Sequence, residues 1–503
     1  MKNLTLFIIL LAPLHLSGQE NRFTQNFENF FLQSFDKVET HVPGVSVGVI
    51  KNNEVIYLNS LGYANLEQGI KADNQTMYYL ASVSKVFTGL LAAQLDHQGQ
   101  IKLADDFKSY LSGAPLVNEA LNKQQISVQD LLTHTHGIVN DPLSMRASGT
   151  GFSAYNDLLH VYQNYSTFRG DKKYSYTNMG YYIYGLLLQN HIEKVWQQEI
   201  DKNLFKPADI EMITSSLEKI NNHKWILASG YVPSPDGNMV PSTLVKKDNT
   251  LHPAGGHYAS VEALSKWLLI HMNEGEYQGK HIYDAATVRL SKSALAKTEE
   301  DTKSQEPYSI EATGLGWRIG KYNDEEIVYM SGSFAGFYAH IAYKPGEKTG
   351  VVALANELLI GSRYCNMLAA YVFDWFHYDG AQVEQYAQQL QQFDKIVGGM
   401  SGPIKQMYRK INEREWQLEL DKEAYTGTYI SDAYGELQIV LHKGEFKVTF
   451  GNLSTKLTAY EKKNTARVEF FPFHGELIRF KIENGEVMAL TIGDSAYEMK
   501  KVK

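Results

Sequence analysis

Strand-like runs stand at both ends of the stretch 22–381, with a long helical middle between them, and this arrangement constrains the fold most strongly. Phe23, Phe27, Phe30, Phe31 and Phe35 recur at helical spacing, the stripe of a helix packed on a sheet. Val45–Ile50 and Glu54–Asn59 flank Lys51-Asn52-Asn53 and read as a β-hairpin. From Lys85, the residues Val86, Phe87, Leu90, Leu91 and Leu95 form one apolar face that ends near Gly99, so a helix is predicted there. Residues 100–320 are mostly helical, with polar loops around 138–172 and 230–256. Strands return at Ile327–Tyr329, Gly336–Tyr343 and Gly350–Ala355, followed by a helix over Gly361–Phe376. The pattern predicts an α+β domain over 22–381: an antiparallel sheet built from both ends, flanked by helices, with a helical subdomain.

At 503 residues the chain is too long for one ordinary core. Residues 382–415 are polar and Gln-rich and predict a linking helix, broken at Gly398-Gly399 and Pro403. From 416 to 503 short strands follow one another closely: Tyr425–Tyr429, Gly435–His442, Glu445–Phe450, Arg467–Phe471, Leu477–Glu483 and Val487–Ile492. Gly and Asn turns separate them, and a small all-β barrel or sandwich is expected.

Residues 1–18 have the layout of a cleaved export signal, with Lys2, an apolar run from Leu4 to Leu16, then Ser17-Gly18. The run is short and interrupted by Pro13 and His15, so no stable membrane anchor is expected, and the chain would be periplasmic or secreted. The single cysteine, Cys365, cannot form an internal disulfide and reads as a buried small hydrophobe. A net charge of −8, with no basic block, argues against nucleic acid as a partner.

Three short motifs carry chemistry: Ser82-Val83-Ser84-Lys85 opening a helix, Tyr176-Thr177-Asn178 before a second helix, and Ser331-Gly332-Ser333 opening a strand pair. Each alone is weak, since S-x-x-K recurs at Ser34/Lys37 and Ser216/Lys219, and Tyr-x-Asn at Tyr57/Asn59, Tyr63/Asn65 and Tyr162/Asn164. Their order and context suggest a serine acyl hydrolase. A serine hydroxyl is a poor nucleophile until a partner accepts its proton. Residues three apart on a helix share a face, so Lys85 points the same way as Ser82. A desolvated lysine, or one near another cation, loses its proton more readily. A helix N-terminus also leaves the N–H of Ser82 free for a developing oxyanion.

The run Tyr78–Thr88 resembles the active-site helix of class C β-lactamases and their penicillin-binding-protein and family VIII esterase relatives. Asp130–Gly137, Tyr174–Tyr181, Ala254-Gly255-Gly256, Gly314-Leu315-Gly316-Trp317 and the segment from Gly336 to Asn356 match in the same order. The C-terminal domain resembles the lipocalin-like module often appended to this family, through Tyr425–Tyr429 and Tyr434-Gly435. The resemblance implies Ser82 as nucleophile, Lys85 as its activator and Tyr176 as the base that takes and returns the serine proton. A free tyrosine has a pKa of about 10, so the site must stabilise the phenolate. Which of Lys85 and Tyr176 accepts the proton stays open. Asn178 would bind the substrate amide or carbonyl, its alternative being a plain helix cap. Ser333 would offer a second oxyanion N–H, and Met330, Ser331 and Gly332 would border the substrate as the third motif.

That third motif departs from the family, which places Lys or His where this chain has Met330. Methionine cannot donate to a substrate carboxylate, so an ester or a small amide or peptide without an essential carboxylate is the expected substrate. Lys348-Thr349-Gly350 has the family's letters but the setting of a surface turn. His134 reads as a buried hydrogen-bonding residue, while His136 and His257 are candidates for a replacement donor at the pocket. The histidines show no metal-binding spacing, and this chemistry needs no metal or organic cofactor. Two rivals stay open: a β-lactamase, D-alanyl carboxypeptidase or D-aminopeptidase, and a silent binding protein. Oligomeric state is not legible in the sequence.

Overall fold

The computed structural model describes residues 18–111, 113, 115–234, 236–298, 307–380 and 383–502. The expected export segment lies outside these residues except for Gly18, which starts the first helix. Among the described residues the main sheet has nine antiparallel strands. The N-terminal hairpin supplies β1 (Gly44–Lys51) and β2 (Glu54–Asn65). The later part of the domain supplies β3 (Arg318–Tyr322), β4 (Glu325–Phe334), β5 (Phe337–Lys344) and β6 (Thr349–Ala355). β6 pairs with β1, Ala353 opposite Val47, so the two ends of the domain meet in the middle of the sheet. Asn52 and Asn53 turn the first hairpin at φ 49° and 70°, the left-handed pair that a two-residue hairpin needs.

Five helices pack on this sheet or beside it: α1 (Gly18–Val38), α2 (Ser84–His97), α3 (Met179–Leu187), α4 (Val261–Met272) and α5 (Gly361–Tyr378). Strand side chains alternate between the two faces. Val45, Val47, Val49 and Ala353 meet Phe23, Phe27, Phe31 and Phe35 of α1 and the apolar side of α5. Phe23, Phe27 and Phe31 are fully buried, worth roughly 1.5–3 kcal/mol each. Val328, Met330, Ile341 and Leu354 point to the other face, against α2 and α4. That second face carries the site.

The linking helix, α6 (Val383–Asn412), runs unbroken through Pro403, against the break expected there. Each half is tied to a different domain, which offsets the hydrogen bond a proline removes. Tyr386 donates to Asp374 Oδ2 at 2.7 Å on α5, and Tyr408 to Glu469 Oε1 at 2.7 Å on the C-terminal domain.

That domain is a closed barrel of eight strands between Gly427 and Lys501. Two strands beyond those read from the sequence complete it, Leu453–Ala459 and Met499–Lys501. The first keeps Leu453, Leu457 and Ala459 inside and turns Ser454 and Lys456 outward, so its polar residues mask a strand pattern. Closure leaves no exposed edge. The barrel is bound to the first domain: Asn452 donates its backbone N–H to Thr150 O at 2.8 Å and its amide to Asn249 Oδ1 at 2.7 Å. Arg146 Nη2 reaches Asp432 O at 2.8 Å, and Leu244 is buried in the barrel's own core cluster. Among the described residues no helix is long and apolar enough to cross a membrane.

Candidate active site

Ser82 sits in a single 3₁₀ turn, Ala81–Val83, that runs straight into α2. Ala81 holds φ at 45°, a conformation rare for residues with a Cβ and concentrated at functional sites. β4 passes directly beneath the turn. A Cβ on Gly332 would lie 2.1 Å from Leu80 O and 2.8 Å from Ser82 N, so only glycine lets the strand approach this closely. Gly316 plays the same part on the next turn, where a Cβ would meet Lys85 O at 2.3 Å.

Lys85 is fully buried, and its Nζ lies 3.0 Å from Ser82 Oγ, 2.7 Å from Asn178 Oδ1 and 3.0 Å from Ala254 O. The Tyr176 hydroxyl lies beside the same ammonium, so one cation serves all of these oxygens. Asn178 precedes α3, yet its side chain makes no cap bond to that helix; it accepts from Lys85 instead.

Tyr176 is 39% exposed, and its hydroxyl interacts with Ser82 and Lys85. Lys85 Nζ is 5.0 Å from the ring centroid and Arg318 Cζ 5.2 Å. Burial alone would raise the phenol's pKa. The charges of Lys85 and Arg318, with hydrogen bonds from Ser82 and Lys85, outweigh it and hold Tyr176 below the ordinary tyrosine value. Burial also lowers Lys85 from the ordinary lysine value; Tyr176 opposes the drop and Arg318 adds to it.

A cavity of about 340 Å³ opens at Ser82 and is lined also by Asn178, Ser333, Gly255, Lys246 and Phe334. Its far wall comes from the barrel, through Phe471, Pro472, Phe473 and His474. The other third-motif residues lie elsewhere. Met330 is buried in the core under β4 and does not line the cavity. Ser331 faces the opposite side of the sheet, where its hydroxyl meets His340 Nδ1 at 2.9 Å.

The histidines considered as donors are also elsewhere. His136 is buried and accepts from Ile138 N through Nδ1 at 2.9 Å. His257 is buried among Phe87, Trp196 and Phe205. Burial lowers both, His136 to about 4 and His257 to about 3, so both are neutral at pH 7. His134 is buried as expected.

The repeated motifs have structural explanations. Ser34 bonds Tyr364 inside the α1–α5 interface, and Ser216 caps its helix at Lys219 N. Among the described residues one group could hold a metal, Glu325, Glu347 and His377, but Lys344 already contacts both carboxylates and none of the three lines the cavity.

Two cations near the nucleophile, Arg318 and Lys246, are absent from the sequence reading. Arg318 directly follows the matched Gly314–Trp317 segment, which is a usable signal. Lys246 has none, since the loop that carries it meets the cavity only in the folded chain.

The chain matches the Beta-lactamase family over residues 23–367. It is 26% identical over 331 residues to Protein flp of Staphylococcus aureus (strain N315), covering 64% of this chain and 63% of that protein. The match thus spans a little under two thirds of that relative's length. Unguisins hydrolase ungD of Aspergillus violaceofuscus (strain CBS 115571) is 22% identical over 428 residues, 81% of this chain and 75% of that one. The octameric penicillin-binding protein homologue from Pyrococcus abyssi superposes with a TM-score of 0.58 at 18% identity, covering 95% of this chain and 99% of that one. D-amino acid amidase from Ochrobactrum anthropi SV3, complexed with L-phenylalanine amide, gives 0.57 at 16%, over 72% of this chain and 99% of its own. At these identities the two structures share the fold. The family match extends over most of the first domain and agrees with its sheet: the chain belongs to the Beta-lactamase family.

Proposed function

We propose that this protein hydrolyses an ester or a small amide or peptide through an acyl-enzyme on Ser82. One observation carries the reading: Lys85 Nζ reaches Ser82 Oγ at 3.0 Å and lies 5.0 Å from the Tyr176 ring, so one buried cation faces both groups. In this reading Lys85 stays the cation that faces both groups, and the Tyr176 phenol, lowered by the charges of Lys85 and Arg318, accepts the serine proton. The Ser82 proton passes to the Tyr176 phenolate as Oγ bonds to the substrate carbonyl carbon. The carbonyl oxygen becomes an oxyanion facing the N–H groups of Ser82 and Ser333. Collapse breaks the bond to the leaving group, which takes the proton back from Tyr176. Water then repeats the sequence: Tyr176 takes its proton, the hydroxyl attacks the acyl carbon, and Ser82 leaves with the proton returned. The amide side of the substrate range is supported by the fold shared with D-amino acid amidase.

The test is a time course with p-nitrophenyl butyrate and a chromogenic cephalosporin, wild type beside Ser82→Ala, with mass analysis of Ser82 after a fluorophosphonate probe. Ester turnover lost in the variant, with the probe on Ser82, is the expected result. Fast Ser82-dependent cephalosporin cleavage would move the protein to the β-lactamase reading. No turnover and no label would leave a ligand-binding protein.

A further inference from the structure

Lys246 is 4% exposed and lies in the wall of the same cavity as Ser82, Asn178 and Ser333. Its Nζ is 4.4 Å from the Phe334 ring centroid and 5.9 Å from that of Tyr79. Among the described residues it makes one hydrogen bond, to Ser148 O, which leaves two of its three donors for other partners. Among the described residues no acidic neighbour acts on it, and desolvation lowers it to about 7. Among the described residues the one carboxylate in the cavity wall, Glu357, is committed to the N–H groups of Leu359, Ile360 and Gly361 at 2.6, 2.8 and 2.9 Å. His252, also in the wall, is held neutral by burial and by the nearby lysines. Tyr79, Phe334, Phe471, Pro472 and Phe473 make the rest of the surroundings largely apolar.

A buried ammonium without a counter-charge is costly, and in a largely apolar wall an arriving anion is attracted strongly. The described residues supply no such anion at this position. Whatever fills the cavity can. The third motif lacks a cation at Met330, whose side chain is in the core, but the loop bearing Lys246 brings one to the cavity from another direction.

We infer that Lys246 is the anion-binding residue of this site, and that the favoured substrate is an ester or amide carrying a free carboxylate that reaches Lys246 while its carbonyl sits at Ser82. This rests on the acyl-enzyme reading above. It replaces the expectation, drawn from Met330, of a substrate without a carboxylate.

The test uses the full chain and two pairs of esters. Mono-p-nitrophenyl glutarate against p-nitrophenyl butyrate places the carboxylate on the acyl side. Para-acetoxybenzoate against phenyl acetate places it on the leaving group. Wild type is expected to prefer the carboxylate ester in one pair, which tells the side. In Lys246→Met the ratio of kcat/KM within that pair should fall about 10- to 100-fold, the usual loss of a charged hydrogen bond. Lys246→Arg should keep most of the preference. An equal fall on charged and uncharged esters, or no wild-type preference in either pair, would overturn the assignment. Uncharged-ester turnover that survives Ser82→Ala would instead sink the acyl-enzyme reading, so the two failures are distinct.

Discussion

His134 holds Tyr176 in place from behind: their rings lie 4.6 Å apart, and His134 accepts hydrogen bonds from the residues on both sides of the tyrosine. Its carbonyl takes Ser175 N at 2.9 Å and its Nδ1 takes Thr177 N at 3.3 Å. The second bond requires an unprotonated Nδ1. Burial first, then the charge of Lys85, depress the imidazole well below the ordinary histidine value and keep it neutral. His136, His252, His257 and His271 are likewise buried and lowered.

Stability should therefore fall as pH drops from 7 to 5. A histidine with a depressed folded pKa takes up its proton more readily in the unfolded chain. Its contribution is complete above the unfolded value, about 6.5, and is lost below it at about 1.4 kcal/mol per pH unit. Glu357, raised by burial to about 7, works in the opposite direction over this window and offsets about one histidine. Denaturant midpoints at pH 7, 6 and 5 would check this, and a midpoint that rises on acidification would refute it. His134→Ala should also slow acylation about tenfold, read as the rate of fluorophosphonate labelling, by freeing the tyrosine segment.

Arg318 shares the duty of lowering Tyr176 with Lys85. In Arg318→Met the rising limb of the kcat/KM pH profile should move to higher pH by about one unit, because less positive charge remains to favour the phenolate. The falling limb should also move to higher pH, since Arg318 lowers Lys85 as well. A profile that loses height with both limbs in place would mean that Arg318 acts only on the packing.

Much of the first domain was legible because its signals are local. The Phe23–Phe35 stripe, the Asn52-Asn53 turn and the motif order at Ser82, Tyr176 and Ser331 can all be read within a few turns of chain. What escaped is tertiary. The strand Leu453–Ala459 is masked by Lys456 on its outer face, and α6 survives Pro403 because both its ends are anchored. Lys246, Arg318 and Phe471–Phe473 approach Ser82 or Tyr176 from elements far apart in sequence, with no spacing pattern linking them. Ser331 and Met330 were read as neighbours of the substrate, but strand alternation places one on the far face and the other in the core.

Gly332→Ala should separate the site's geometry from its chemistry. The added Cβ would lie 2.1 Å from Leu80 O and 2.8 Å from Ser82 N, both backbone atoms, so the 3₁₀ turn or the strand must move. A shift near 1 Å at a nucleophile costs on the order of 100-fold. Labelling of Ser82 is expected to slow by about that factor while circular dichroism stays native. Labelling at the wild-type rate would show that β4 can slide without carrying the site with it.

The barrel closes the cavity opposite Ser82 with Phe471, Pro472 and Phe473, so acyl or leaving-group size should be set by a domain that carries none of the proposed catalytic groups. Phe471 also packs near Gly149, its Cζ 3.6 Å from the Cβ position there, at the seam between the domains. Phe473→Ala removes a ring from the wall and its contact with the Tyr408 ring at 6.4 Å, while the seam residue Phe471, the Tyr408–Glu469 bond and the backbone N–H that residue 473 donates to Glu469 Oε1 at 2.8 Å all remain. The chain-length optimum of a p-nitrophenyl ester series, from acetate to octanoate, should then move to longer acids by about two to four methylenes, each worth roughly 0.8 kcal/mol when buried. Deleting residues 416–503 should broaden the range further if the shortened protein folds. An unchanged optimum in Phe473→Ala would place the acyl chain elsewhere in the cavity and remove the barrel from substrate selection.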